Sequence, residues 1–452
     1  MTARDGLRRK CADLVGVFTG VLLWAAAGAA QAGGGTWNLE RLVAAALDRD
    51  AGLAAARVGY AASRAGIAAA RGARRPRVDA VGNAELFPRR ERLLIFRHGF
   101  RKSGNPFETG DVDYGVELTM PLYTGGRIAH GISLAQARSE VARFQADLSR
   151  NQLVFNVASA YYTGLRLQQV IGAQQATLSA LAESLRIGEV QRKVGRIARL
   201  DLLRIQTRVA QAERDLAGTR NDYARTLEIL KQLIVYPVTD TLTIEGELRE
   251  SPTRVDVATL RKRALAQRPD LHSLRQALQA RRAAAGIAKS SLLPSLNFKA
   301  RYRVVTGFND GVTKDDPSLF LRFRMPIFDG GVLEARRQRA LGEVTAAELR
   351  LRDGERRALG EVQRALLDLR TTGPRLLAAR RAVAQGRETV RVERAKFASG
   401  RGTSNDLLLA EEALLKTRTE RARVLADNQI AAAALRLAVG DSPVPAKSES
   451  VD

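Results

Sequence analysis

The chain has 452 residues, 73 of them Lys or Arg and 48 Asp or Glu, a formal net charge of +25, with one cysteine and three histidines. A lone Cys11 and the scattered His98, His130 and His272 exclude a disulfide framework and clustered metal or acid–base chemistry, and the lack of any Gly-Lys dipeptide excludes a phosphate-binding loop, so neither cofactor nor catalysis is expected. Such a basic balance ordinarily points to nucleic acid, but the Arg residues lie along helical segments among Glu and Asp, with aromatics at only 5%; solvated helix faces explain them, and no nucleic-acid partner is expected.

Arg4, Arg8, Arg9 and Lys10 precede an apolar run that ends in Ala30-Gln31-Ala32. A basic start, a short apolar core and a small-residue exit predict a secretory signal peptide over 1–32, cleaved after Ala32. Its removal leaves a charge of +23 and no cysteine. No other stretch holds 18 continuous apolar residues, so no inner-membrane helix is expected.

The remainder repeats itself. Pro121-Leu122-Tyr123-Thr124-Gly125-Gly126 returns 205 residues later as Pro326-Ile327-Phe328-Asp329-Gly330-Gly331. At the same offset Gly195-Arg196 returns as Gly400-Arg401, and Asp201-Leu202-Leu203 as Asp406-Leu407-Leu408. Upstream, Ala65-Gly66-Ile67-Ala68 matches Ala285-Gly286-Ile287-Ala288, and Pro76 pairs with Pro294; the stretch from Pro76 to Pro121 is 13 residues longer than its counterpart. Length change confined to one segment marks a surface loop. That loop carries Arg89, Arg90, Arg92, Arg97, Arg101 and Lys102, a cluster suited to lipid phosphates if it faces outward.

Each unit reads as helix, two alternating segments, then a long helix, a Gly-containing turn and a return helix. Period-2 alternation predicts strands at about 77–87, 112–122, 295–305 and 318–327, with Phe320 breaking the polar phase of the last. Two readings compete: a soluble antiparallel sheet with its apolar face on a core, or barrel strands with that face in lipid. Because four strands cannot close a barrel, the second demands an oligomer, and the export signal favours it. Long helices are predicted over about 126–193 and 331–398, each on the order of 100 Å, with Gly373-Pro374 expected to kink the second. A helix of that length needs lateral support, which a coiled-coil-like bundle supplies.

Together these features resemble the outer membrane efflux protein family, the TolC-like channels, over essentially the whole mature chain. The resemblance rests on the two Pro-to-Gly-Gly motifs, on Val157-Ala158-Ser159-Ala160-Tyr161-Tyr162 and Glu361-Val362-Gln363-Arg364-Ala365-Leu366, and on Lys396-Phe397-Ala398-Ser399-Gly400 leading to Asp406-Leu407-Leu408. It implies a mainly α fold with a β-barrel part, in which a duplicated unit of two transmembrane strands and long coiled-coil helices builds a homotrimer with a twelve-stranded barrel continuous with a periplasmic helical tunnel. The implied organisation is a first repeat over 33–233, an equatorial segment over 234–267, a second repeat over 268–440, and a disordered tail over 441–452.

The implied function is a passive exit duct in the outer membrane, contacting its lipid and serving a tripartite efflux or type I secretion system. A periplasmic adaptor (membrane fusion) protein and an inner-membrane pump of RND or ABC type would be its partners. The alternative is a soluble periplasmic coiled-coil adaptor or scaffold. The implied gate lies at the tip, at Gly195, Asp201, Arg204, Gly400 and Asp406. Where family members often carry a second Asp three residues after the first, this chain has Leu409, followed by Glu411 and Glu412; Asp201 is followed by Arg204. Both Asp residues also suit a plain helix N-cap role. Pro121, Gly125, Gly126, Pro326, Gly330 and Gly331 would form the barrel–helix junctions. Lys299, Arg301, Arg303, Arg322 and Arg324 would face Asp79, Glu85, Asp113 and Glu117 across the barrel lumen.

Overall fold

The computed structural model describes residues 36–86, 94–96, 100–102, 110–252, 256–307 and 313–444. The expected signal peptide, most of the basic loop and the end of the C-terminal tail lie outside these residues. The chain runs α1 (Leu39–Arg49), α2 (Ala51–Gly72), β1 (Arg77–Leu86), β2 (Leu94–Phe96), β3 (Phe100–Lys102), β4 (Gly110–Tyr123), α3 (Arg127–Lys193), α4 (Arg199–Leu233), α5 (Val257–Gln267), α6 (Pro269–Ser290), β5 (Ser295–Gly307), β6 (Thr313–Arg324), α7 (Val332–Ala398) and α8 (Ser404–Val439).

The 205-residue offset relates α3 to α7 end to end, and each has 67 residues. Their sequences are built from Ala, Leu, Arg, Gln and Glu, which lose little rotamer freedom in a helix. Neither could stand alone at that length. α3 packs against α2, α4, α6 and α8, and α7 against α6 and α8. α7 runs through Pro374 as one helix, so Gly373-Pro374 does not end it.

A segment between α4 and α5 straps the bundle at mid-height. Trp37 and Ile244 form a parallel bridge, with the Trp37 amide donating to the Thr243 carbonyl at 2.8 Å and the Glu245 amide to the Trp37 carbonyl at 3.1 Å. The Tyr161 hydroxyl donates to the Glu245 carbonyl at 2.7 Å, and burial pushes its pKa up to about 12. Leu42, Leu165, Leu230, Ile234, Ile244 and Val424 form the core beneath. Further along, the fully buried Asn428 accepts from the Ser251 amide at 2.7 Å and donates to the Thr372 hydroxyl at 2.8 Å. Thr372 in turn donates to the Leu369 carbonyl at 2.6 Å, two residues from Pro374. Strap, α7 and α8 are thus pinned at one point.

A second core, with Leu260, Val362, Leu366, Leu369, Leu435 and Val439, seats α5 on α7 and α8. Beside it the nearly buried Arg268 pairs with Asp270 at 2.8 Å and Glu361 at 2.7 Å and donates to the Ala438 carbonyl at 3.0 Å. Burial alone would raise the Asp270 carboxyl, but the Arg268 hydrogen bond and charge outweigh it and hold its pKa below the usual range. Order continues past Gly440, because Arg263 pairs with Asp441 at 2.7 Å.

Beyond the helices lies a four-stranded antiparallel sheet in the order β1-β4-β5-β6, with β1 and β6 at its edges. β4 and β5 extend one to two residues past the expected bounds. β6 is displaced, starting at Thr313 and ending at Arg324, so Pro326 lies outside any strand. A segment that pairs only along β5 takes its limits from its partner, and alternation alone did not show them.

Asn428→Ala leaves the Ser251 amide and Thr372 hydroxyl without their partner. A cost of about 1–3 kcal/mol is expected, read as a lower midpoint of helical circular dichroism in detergent.

Candidate functional site

Residues opposite one another across an antiparallel ladder share a face. One face carries Val78, Leu118, Ala300 and Leu319 in one row and Ala80, Val116, Tyr302 and Pro317 in the next. Val78, Tyr114, Val116, Tyr302, Leu319, Leu321 and Phe323 are exposed on it. A soluble sheet would have turned these onto a core. No helix among the described residues is long and apolar enough to cross a membrane; this sheet is the surface suited to lipid.

The opposite face is charged. Its rows are Arg77, Thr119, Lys299 and Phe320; then Asp79, Glu117, Arg301 and Ser318; then Val81, Gly115, Arg303 and Asp316. Lys299 pairs with Glu117 at 2.5 Å, and Arg303 reaches Asp113 at 3.8 Å. The rest of the expected pairing differs. Asp79 is held by Arg77 at 2.7 Å, and both Arg301 and Arg303 turn to Asp316, at 3.4 and 3.2 Å. The Arg301 guanidinium also lies 5.4 Å from the centre of the Phe320 ring. Arg322 and Arg324 share this face but have no ion pair among the described residues.

Asp316 went unnoticed because the last strand was started two residues after it. Once the strand begins at Thr313, the same alternation puts Lys314 and Asp316 on the polar face. Phe320 breaks the polar pattern because its ring lies over Arg301, a cation–π contact between rungs.

Where strands become helices, both copies use a pair of glycines at positive φ. The values are +60° and +87° at Gly125 and Gly126, and +66° and +84° at Gly330 and Gly331. A side chain there is strained, so the motif needs glycine to turn a strand directly into a helix. The surroundings differ. A Cβ on Gly125 would lie 2.7 Å from that of Leu293, whereas Gly330 faces open space. Pro121 sits inside β4 just before a register shift, while Ile327 and Phe328 stand 96% and 90% exposed. Asp329 accepts from the Leu333 amide at 2.6 Å and the Gly331 amide at 3.1 Å; Thr124 makes no equivalent side-chain bond.

At the far end both long helices stop in the same way. Gly195 and Gly400 have φ of +78° and +74°. The Arg196 amide reaches back to the Gln191 carbonyl at 2.8 Å and the Arg401 amide to the Lys396 carbonyl at 2.9 Å, a Schellman closure in each copy. Neither Asp is the N-cap considered for it. The caps are Ala198 and Thr403, and Asp201 and Asp406 stand three residues in. From there Asp201 accepts from the Ala198 amide at 3.3 Å, from the Ser404 hydroxyl of the other hairpin at 3.0 Å, and pairs with Arg204 at 3.8 Å. Asp406 stays within its own turn, accepting from the Thr403 hydroxyl at 2.7 Å.

The two hairpins are joined further by Gln191, which donates to the Phe397 carbonyl at 2.8 Å, and by Arg208 with Glu412 at 2.6 Å. The buried Glu411 is matched by Arg394 at 2.5 Å, within the second hairpin. Ile205, Phe397 and Leu407 fill the space between hairpins. The helix pairing thus gives each of Glu411 and Glu412 an arginine.

Among the described residues no group of His, Cys, Asp and Glu is placed to hold a metal ion. An amphipathic sheet continuous with ordered helices, polar on one face and apolar on the other, is the architecture of an outer membrane channel protein. Residues 42–234 and 260–441 match the outer membrane efflux protein family, and the chain belongs to it.

Among relatives, the alkaline protease secretion protein AprF of Pseudomonas aeruginosa is 25% identical over 80% of this chain and 78% of its own. Nodulation protein T of Rhizobium leguminosarum bv. trifolii is 23% identical over 69% and 68%. The fold matches the outer-membrane channel OprN with a TM-score of 0.78 at 21% identity, covering 90% of this chain and 91% of that one. This protein is accordingly an outer membrane efflux channel extending into the periplasm, from a family of channels rather than enzymes.

Asp329→Ala should cost about 1 kcal/mol by uncapping α7, while Thr124→Ala stays within about 0.5 kcal/mol. Thermal midpoints of the two variants in detergent make the comparison.

Proposed function

We propose that three copies of this chain close a twelve-stranded barrel and form a passive exit duct, served by a periplasmic adaptor and an energised inner-membrane pump. One observation carries the reading: a four-stranded sheet with an exposed apolar face has both edges, β1 and β6, unpaired among the described residues. Lipid cannot satisfy edge amides and carbonyls, so the edges must pair with other chains.

The junctions support the same arrangement. The first Gly-Gly turn is covered by Leu293 and the Ser290 carbonyl of the second repeat. The second turn, with Ile327 and Phe328 bare, has no such cover among the described residues. The matching element of the first repeat, the end of α2 near Arg75, would supply that cover from the next copy. A rotation that repeats the contact closes a ring. The adaptor-like alternative fits poorly with so large an exposed apolar sheet face.

The gate belongs at the helical tip, with Asp201, Arg204 and Asp406 and the turns at Gly195 and Gly400. Asp201 to Ser404 is the bond closest to the turns among those that join the hairpins; Asp406 organises its own turn. The pump would be of RND or ABC type. Relatives bear names from protease secretion and toluene efflux, which fits a duct whose cargo is chosen upstream.

Fractionation tests the assembly: the chain should resist salt, enter detergent, and show three times the mature mass by native mass spectrometry. A salt-soluble periplasmic monomer would sink the proposal. For the gate, Asp201→Ser removes about 1 kcal/mol per chain. If three chains open together, the closed–open balance shifts on the order of 100-fold, raising resting conductance in planar bilayers. Asp406→Ser should leave that conductance unchanged.

A further inference from the structure

The register of the sheet distributes charge unevenly along the strands. β1 starts at the helices, with Arg77, and ends at the outer loop, with Glu85. β4 runs the other way, opening with Asp111 and Asp113, and Asp316 sits at the same outer half of β6. The helix end of the polar face instead holds Lys299, Arg322 and Arg324, with Asn297 opposite Arg322 and Ser295 opposite Arg324. The polar face is therefore acidic toward the outside and basic where barrel meets helices.

The basic end is also the less neutralised one. In the outer and middle rungs Asp113, Glu117 and Asp316 each have a cationic partner. At the helix end Arg322 and Arg324 have none among the described residues, and neither do Arg75 and Arg127. Arg75 and Arg127 border a concavity of about 1060 Å³ under the strand ends, together with Asn297 and with Asp79 and Glu117, which Arg77 and Lys299 already neutralise. The acid nearest this end, Asp79, is already taken by Arg77 at 2.7 Å. In a closed barrel β1 of the next copy would therefore bring β6 no free carboxylate at this level.

We propose that Arg322 and Arg324, repeated in each chain, form a basic collar at the inner mouth of the barrel that concentrates anions and favours passage of anionic cargo. This rests on the three-chain duct above. The collar acts as a field: walls of low dielectric focus the potential of unpaired charges into the water between them, and local counter-ion enrichment in such clefts starts at about 10-fold. Arg301 and Arg303 contribute less, since Asp316 and the Phe320 ring engage them. Selection between anion and cation then occurs at the junction, after the pump has released its cargo.

The test is the reversal potential of the purified full-length protein in planar bilayers under a KCl gradient. The wild type should prefer chloride over potassium. Arg322→Gln with Arg324→Gln should cut the chloride-to-potassium permeability ratio at least about twofold, while Arg322→Lys with Arg324→Lys keeps it, because charge and not shape carries the effect. Ionic strength supplies a readout on the unmodified protein. The preference should fade between 0.1 and 1 M KCl, as the screening length falls from about 10 to about 3 Å.

A wild type selective for cations, a selectivity flat with salt, or a Gln variant with normal assembly and unchanged reversal potential would each overturn the collar while leaving the duct intact. A membrane-inserted trimer that passes no current under any condition would overturn the duct and the collar with it.

Discussion

An amide or carbonyl facing hydrocarbon without a partner costs several kcal/mol, and β1 and β6 each present a row of such groups along one edge. Nothing else in the chain constrains the molecule as strongly. Within one copy the strands satisfy one another across three ladders, but the sheet is too narrow to meet itself. Closure must come from outside the chain, and the rest of the architecture is shaped to allow it. Strands of 10 to 14 residues suit a tilted span. The glycine pairs turn the chain from β4 and from β6 into the long helices. The apolar residues that look misplaced on an isolated subunit, from Val78 to Phe328, are the surfaces this closure and the lipid require.

The helical part solves a different problem. Two helices of 67 residues cannot be held by their ends. Apolar cores recur along the bundle, and the strap packs Leu242, Ile244 and Leu248 into the largest of them. Several polar groups enter that interior with partners. Asn428 serves Ser251 and Thr372, Arg268 serves Asp270, Glu361 and the Ala438 carbonyl, and Arg394 serves Glu411. Unpaired, each would carry a desolvation penalty. Paired, they fix the relative height of neighbouring helices, which sliding apolar ridges alone would leave loosely set.

The two repeats have diverged where their surroundings differ. Gly125 is walled by Leu293 and Gly330 is open; Asp329 caps a helix and Thr124 does not; Asp201 crosses to the other hairpin while Asp406 turns back on Thr403. Apart from the exchange of Thr124 for Asp329, such differences are invisible in an alignment of the copies, because they arise from what lies against each residue. The same reason hid the role of Asp316. Its charge was plain, but its face depended on where β6 began, and that was set by pairing with β5. Pro374, a residue that breaks isolated helices, sits inside one that packs along its flanks, close to the Asn428 network.

Periodicity and the duplicated motifs were enough to determine the order of the repeated elements, though not the β2–β3 pair in the longer loop, together with the length of the long helices, the division of each strand into an apolar and a polar face, and the positions of the glycine turns. These follow from local rules, because 2.0- and 3.6-residue periods and positive φ act within a few residues. Only the tertiary structure decided which charges on the polar face meet, which remain free at the helix end, which Asp joins the two hairpins, and where the strap fastens. Those outcomes depend on register and on contacts between residues more than 100 positions apart, such as Lys299 with Glu117 and Ser404 with Asp201. A single-residue slip in pairing would exchange every such partner while leaving the local pattern unchanged.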